Sequence, residues 1–302
     1  MSTREIDLGE SAPLAIDLGA DRGAQLARLL TPPAPVLVLP CRKHVEQSEP
    51  RRFSRLKLMD ESPAHYEDGT VEETSPMRKG TALHAFLLGQ KHRVVVYKGR
   101  RDPRAAAWQE FQKEHEGKCI LIPSEAEPVL AMRASVEKHR RAMELLEGEQ
   151  ERRIEWDFGG KRCAGTPDSV RDYSAHRRVT ELKSTLCAKP VRLIKRARWS
   201  HWHAQVAWYS EGLDRTMSYP QLPCEEHYVV AVESKKPFNV TTLRVTPEMI
   251  TKGQKAWRAW WERLEVCEQS NHFPGYSEAD IDWVDEEKSG LSDWEDEDED
   301  AA

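Results

Sequence analysis

The chain has 302 residues, 39% hydrophobic and 32% charged, which allows one large domain or one domain with appendages and points to long solvated helices or a disordered tail. Its formal net charge of −6 divides unevenly: 13 acids and one lysine from Glu278 onward make a −12 tail on a +6 body, and a basic body of this kind can dock on phosphate backbones. No run approaches about eighteen apolar residues and the N-terminus lacks a basic-then-apolar signal pattern, so a membrane span and a secretory leader are not expected.

In chain order, residues 1–50 read as a loosely attached extension, because the apolar run near 36–39 is ringed by prolines and suits only an edge strand. Residues 53–66 suggest a short helix, with Ser54 as N-cap, Leu56 and Met59 on one face, and Ser62-Pro63 as the stop. After an acidic loop, the apolar residues 82, 83, 86 and 87 predict a helix beginning after Gly80 and carrying His84. Further helices are expected over 104–116 and 125–147. The latter has Val129, Met132, Val136, His139 and Met143 at helical spacing and Gly148 as its C-cap.

The period then changes from helical to alternating. Residues 153–158 alternate, Gly159-Gly160 supplies a tight turn, and 161–170 return as a second strand, followed by a third over 178–184. Residues 199–211 form a helix closed by Gly212. A strand pair over 227–233 and 239–245 precedes a long amphipathic helix opened by Thr246-Pro247, with Ile250, Trp257, Trp260, Trp261 and Leu264 as its buried stripe. Beyond 275 the sequence is too charged to fold alone. The six cysteines, at 41, 119, 163, 187, 224 and 267, form no CxxC pair and read as ordinary thiols in a reducing cytosol.

One stretch carries chemistry. Asp168 follows a proline on one predicted strand, and Glu181 and Lys183 stand on its neighbour. Alternation puts 181 and 183 on one face, with Leu182 on the other. Two adjacent carboxylates repel each other and invite a hard divalent cation, while the lysine would orient a water or offset transition-state charge. An exposed hairpin with a surface Glu/Lys pair is the plain alternative. Downstream, Lys189, Arg192, Lys195, Arg196 and Arg198 interleave with two tryptophans and suggest a strip that tracks a phosphate backbone, or else a solvated helix face. Arg100-Arg101 and Arg140-Arg141 are weaker candidates.

Over residues 53–212 the chain resembles the PD-(D/E)xK nuclease superfamily, and within it the RecE-type (exonuclease VIII) phage recombination exonucleases. The resemblance rests on SRLKLMDESPAHY, GTALHAFLLG, MRASVEKH, Glu151 ahead of Trp156, CAGTPD, ELKST and HAQVAWYSEGL, in that order. It implies an α/β fold with a restriction-endonuclease-like core, a central mixed sheet flanked by helices, spanning 51–275 between the extension and the acidic tail. It also implies His84, Glu151, Asp168, Glu181 and the Leu182 carbonyl as metal ligands, and Asp168, Glu181, Lys183, Gln205 and Tyr209 as catalytic residues. His203 would stand behind them.

Mg2+ is the implied cofactor, with Mn2+ as substitute and no iron–sulfur cluster. The implied activity is 5′-to-3′ exonuclease action on double-stranded DNA ends, leaving 3′ overhangs. The implied partner is a single-strand annealing protein, and the implied assembly a homo-oligomeric ring in a bacterial or phage-infected cytoplasm. Thr166 departs from the basic residue many relatives carry before the proline. A PD-(D/E)xK endonuclease, or a non-catalytic binding protein working through its acidic tail, are the competing expectations.

Overall fold

A computed structural model of the chain describes residues 49–70, 73–216 and 222–276. Of the expected extension over 1–50, residues 1–48 lie outside the described residues, as do residues 277–302 of the expected tail over 276–302. In chain order the elements are β1 (Arg51–Arg52), α1 (Phe53–Leu56), α2 (Leu58–Glu61), α3 (Pro63–Asp68), α4 (Ser75–Leu87), β2 (Val94–Val96), α5 (Ala106–Glu114), β3 (Cys119–Leu121), α6 (Pro123–Lys138) and α7 (Arg140–Leu146). They continue with β4 (Glu149–Gln150), β5 (Ile154–Phe158), β6 (Lys161–Gly165), β7 (Ser169–Asp172), β8 (Arg177–Thr185), α8 (Pro190–Trp199), α9 (Trp202–Arg215), β9 (Cys224–Glu233), β10 (Val240–Arg244) and α10 (Pro247–Ser270).

The expected mixed sheet is present. It has five strands in the order β10-β9-β8-β7-β4, and only the β8–β9 pairing is parallel. A parallel neighbour needs a crossover, and α8 and α9 supply it. Both faces of the sheet are covered, which is why β9 reads as a run of Val and Ala rather than an alternation. Val179, Val229 and Ala231 face a tryptophan-rich core under α9 and α10. Leu182, Val230 and Val232 face a second core under α4, α6 and α7. By strand alternation Glu181 and Lys183 share the face of Val179.

β5 and β6 form a hairpin through Gly159-Gly160, both in the left-handed region at φ 58° and 72° as a type I′ turn requires. This hairpin belongs to another sheet, with β1 parallel to β6. The expected single strand over 161–170 is therefore two strands in two sheets. Pro167 has no N–H to give a ladder, and the chain changes sheets at Thr166-Pro167-Asp168.

Several predicted boundaries move for local reasons. The region 53–66 is three short helical pieces, and Ser62-Pro63 starts the third: the Ser62 hydroxyl accepts from the His65 N–H and Pro63 sits at the first helical position. Arg52 rather than Ser54 precedes the first piece. α4 begins at the Thr74 cap, with Gly80 inside it. The expected helix over 125–147 breaks at His139, whose ring accepts from the Ala142 N–H and caps α7. Met143 is exposed rather than in the buried stripe, and Glu147, not Gly148, ends α7. Gly212 does not close α9 but lies within it. A Cβ there would fall 2.6 Å from Trp156, so the missing side chain is what lets α9 press on β5. The stripe of α10 is buried as expected, and the five described cysteines are free thiols.

Candidate active site

The break between β6 and β7 places Asp168 one residue before β7, not on a strand as alternation suggested. It still faces Glu181, because Ser169 pairs with Thr180. Each carboxylate accepts a backbone N–H from the other's segment: the Asp168 N–H donates to Glu181 Oε1 at 3.2 Å, and the N–H of Leu182, next to Glu181, donates to Asp168 Oδ2 at 2.7 Å. The carboxylate thus takes up an amide that a strand partner would otherwise satisfy. Lys183 Nζ lies 2.8 Å from Glu181 Oε2.

His84, in the last turn of α4, closes the group from the opposite side, its Nδ1 3.0 Å from Asp168 Oδ1. Glu151 follows β4 in a left-handed conformation, φ 48°, and its N–H donates to the Asp168 carbonyl at 3.0 Å. Its carboxylate accepts from the Gln90 amide and lies 3.9 Å from Arg93. His84 and Glu151 line one open cleft of about 560 Å3, shared with Arg93 and Lys118.

On the other flank, Gln205 donates to the Tyr209 hydroxyl at 3.0 Å from one face of α9. The Tyr209 ring packs on Gly165, where a Cβ would lie 2.7 Å from it. The side chains at 84, 168, 181 and 183 therefore adjoin, with Gln205 and Tyr209 beside them; Glu151 meets Asp168 through its backbone, and its carboxylate lines the cleft it shares with His84. Lys189, Arg192, Lys195, Arg196 and Arg198 lie at the cap and along the body of α8. His203 stands at the start of α9, its ring held neutral because burial, then the neighbouring His201, push its pKa down to about 4.

The charges strain against one another. Burial, and next the Asp168 charge, push the Glu181 carboxyl above the usual carboxylate range. Burial would raise Asp168 as well, but the adjoining His84 and Lys183, with the Leu182 N–H, outweigh it and hold Asp168 below the usual range. Burial works against charge on His84 and Lys183 too. The two carboxylates reverse that, so the pKa of each is raised and each favours its charged form. Burial and then Glu181 push the Tyr209 phenol far up, leaving it a neutral donor.

Lys57, which no spacing rule marked, has its pKa lowered by burial and then by Lys183 and Arg196, so it borders the site as a further cation. Its only sequence signal was a place inside the motif SRLKLMDESPAHY. Gln90 and Arg93, which hold Glu151, had no signal in the sequence.

Among the described residues no three His, Cys, Asp or Glu side chains stand ready-placed to hold a metal ion. The donor set nevertheless fits a hard divalent cation: it is mostly carboxylate oxygen with one imidazole. Burial and then the Asp168 charge raise Glu181, and a cation held between the two carboxylates would offset that repulsion.

A family model described as "PDDEXK-like domain of unknown function (DUF3799)" matches residues 52–286. Among solved structures the chain is similar to one described as "Putative exonuclease" from Eubacterium rectale. Identity is 10%, the TM-score 0.54, and the match covers 80% of this chain and 92% of that one, a likeness that shows the fold alone. The structure of SSO0001 matches at 14% identity over 59% of this chain and 84% of that one; with a TM-score of 0.28 it carries no argument. No curated protein matches the chain.

Proposed function

The chain belongs to the PDDEXK-like family, and from that premise and the geometry of its site we propose that it is a metal-dependent deoxyribonuclease. Its substrate would be the ends of double-stranded DNA, degraded 5′-to-3′ to leave 3′ overhangs, as in RecE-type enzymes. The observation that carries this reading is the pair of hydrogen bonds that joins the two acids' segments, Asp168 N–H to Glu181 and Leu182 N–H to Asp168, with Lys183 on Glu181 and His84 on Asp168.

His84, Glu151, Asp168, Glu181 and the Leu182 carbonyl would hold Mg2+, for which Mn2+ would substitute. Bound there, the ion would polarise the phosphate and make water acidic enough to attack. The residues of the chain do the rest. Lys183, kept charged by its two acids, stabilises the negative charge that gathers on the phosphate oxygens as water adds and the bridging oxygen leaves. Tyr209, kept neutral, offers its O–H as a donor, and Gln205 fixes its direction. The cations of α8, with Lys57 near Lys183, would take the backbone of the strand being cut. The same reading includes a ring-shaped oligomer around duplex DNA and an annealing protein that takes the exposed strand.

The test is degradation of linear duplex labelled separately at the 5′ and 3′ ends, with and without Mg2+. Early loss of the 5′ label, in Mg2+ only, is expected, and Asp168→Asn or Lys183→Ala should slow it by about a hundredfold or more. Cutting of covalently closed circular DNA would make the enzyme an endonuclease instead. A wild-type chain that leaves all DNA intact with either metal ends the nuclease reading.

A further inference from the structure

Helix α8 presents two faces of different character. Leu193 and Ala197 pack inward and are buried. At 3.6 residues per turn Val191, Ile194, Lys195, Arg198 and Trp199 fall together on the opposite face. Val191 is 65% exposed, Ile194 47% and Trp199 49%, and Leu186 just before the helix is 61% exposed. Large apolar side chains thus alternate with cations on the outside of the molecule, and such a patch marks a surface that something covers.

A DNA backbone would pair with the cations but leave Val191, Ile194 and Leu186 bare, since phosphates and sugars offer branched aliphatics no apolar partner. A second α8 would set like charges against each other. The missing chemistry is present in the chain itself. Residues 278–302 carry 13 acids and one lysine, and among the acids stand Ile281, Trp283, Val284, Leu291 and Trp294.

The segment also starts close by. The Tyr276 ring lies 5.8 Å from His65 on α3. In the adjoining α2, Asp60 is 2.7 Å from Nε2 of His201, two residues past the end of α8. The 26 residues after Tyr276 can extend about 85 Å, several times the roughly 15 Å length of α8.

We propose that the C-terminal segment 278–302 seats on the outer face of α8 of the same chain, its acids on Lys195 and Arg198 and its tryptophans and aliphatics over Val191, Ile194 and Trp199. There it covers cations that would otherwise take DNA, so that duplex must displace it. This last consequence rests on the nuclease reading; the docking itself does not.

The experiment is carbodiimide coupling of the full chain at low salt, which joins carboxylates to lysine amines, followed by mass spectrometry of the linked peptides. Links from 278–302 to Lys195 and Lys189 should exceed those to the exposed Lys161 and Lys252. They should be lost in high salt, in Ile194→Asp, and in the full chain carrying Trp283→Ala and Trp294→Ala, which keeps every tail charge. An even spread over the lysines overturns the proposal, as do links found only between isotopically distinct chains. In parallel, duplex binding measured without metal should tighten several-fold in the double tryptophan variant; unchanged binding overturns the covering of DNA-binding cations. Specific links with no DNA binding by any variant leave the docking standing and remove the nuclease reading alone.

Discussion

Glu125 is the most heavily partnered carboxylate outside the site. Arg78 reaches its Oε1 at 3.0 Å, Arg101 grips both oxygens at 3.2 and 3.0 Å, and the Ile122 N–H donates at 3.3 Å. Burial alone would raise its pKa, but the arginine hydrogen bonds outweigh burial and push it down to about 2 from an ordinary 4.5. A carboxyl whose folded pKa is depressed stabilises the fold above its unfolded pKa, and that contribution drains away as pH falls from 4.5 towards 2. The gap corresponds to about 3 kcal/mol at neutral pH. Urea unfolding of Glu125→Gln should therefore show a loss of that order at pH 7 that shrinks steadily toward pH 3; a pH-independent difference would contradict the clamp. The same scale shows what sequence spacing can and cannot reveal. Asp168, Glu181 and Lys183 were legible because strand alternation projects 181 and 183 to one face and the turn brings 168 opposite. His84 and Glu151 sit 84 and 17 residues before Asp168, and only a family pattern joined them to it. Lys57, Gln90 and Arg93 reach the site by tertiary approach, which no local period records.

Elements obey the same division. The start of the long α10 was readable, since Thr246-Pro247 caps it, and its apolar stripe keeps a helical period over many turns. β2 and β3 are three-residue strands whose partner lies more than twenty residues away, too short for any alternation to show. Gly212 and Pro167 were each visible as punctuation, but their meaning was not: one makes room for Trp156, the other moves the chain between sheets. Gly253, which the sequence reading did not single out, also makes room. A Cβ there would lie 2.5 Å from the His203 carbonyl oxygen, so α9 and α10 meet backbone to side-chain-free backbone. Carbonyl oxygens of a packed helix cannot retreat cheaply, so Gly253→Ala should destabilise by about 1–3 kcal/mol, partly offset by alanine's better helix propensity of about 1 kcal/mol. A lowered thermal midpoint checks it; a raised one would mean that the two helices slide apart freely.

At the scale of the molecule, the proposed function divides the work between the cations of α8, which would grip DNA, and the Asp168–Glu181–Lys183 group, which would cut it. Neutralising Lys195 and Arg198 together should weaken duplex binding at every sequence and reduce the slope of log affinity against log salt by about 1 for each phosphate left without its cation. A slope that does not move would show that these two side chains touch no phosphate. The change of period near 153 marked strands among helices, while the mixed sheet with its flanking helices was implied only by the family resemblance. That hairpin β5–β6 and strand β7 belong to different sheets was not, because hydrogen bonding between strands leaves no mark on either sequence.

The parallel pairing of β8 with β9 also sets an order in time. A chain made from its N-terminus completes His84, Glu151, Asp168, Glu181, Lys183, Gln205 and Tyr209 before any residue of β9 exists. Until then β8 is an edge strand with an open side, and Leu182 has no Val230 beside it. Every residue of the proposed site can thus be synthesised and still be unassembled, and the strand that completes their surroundings contributes none of them.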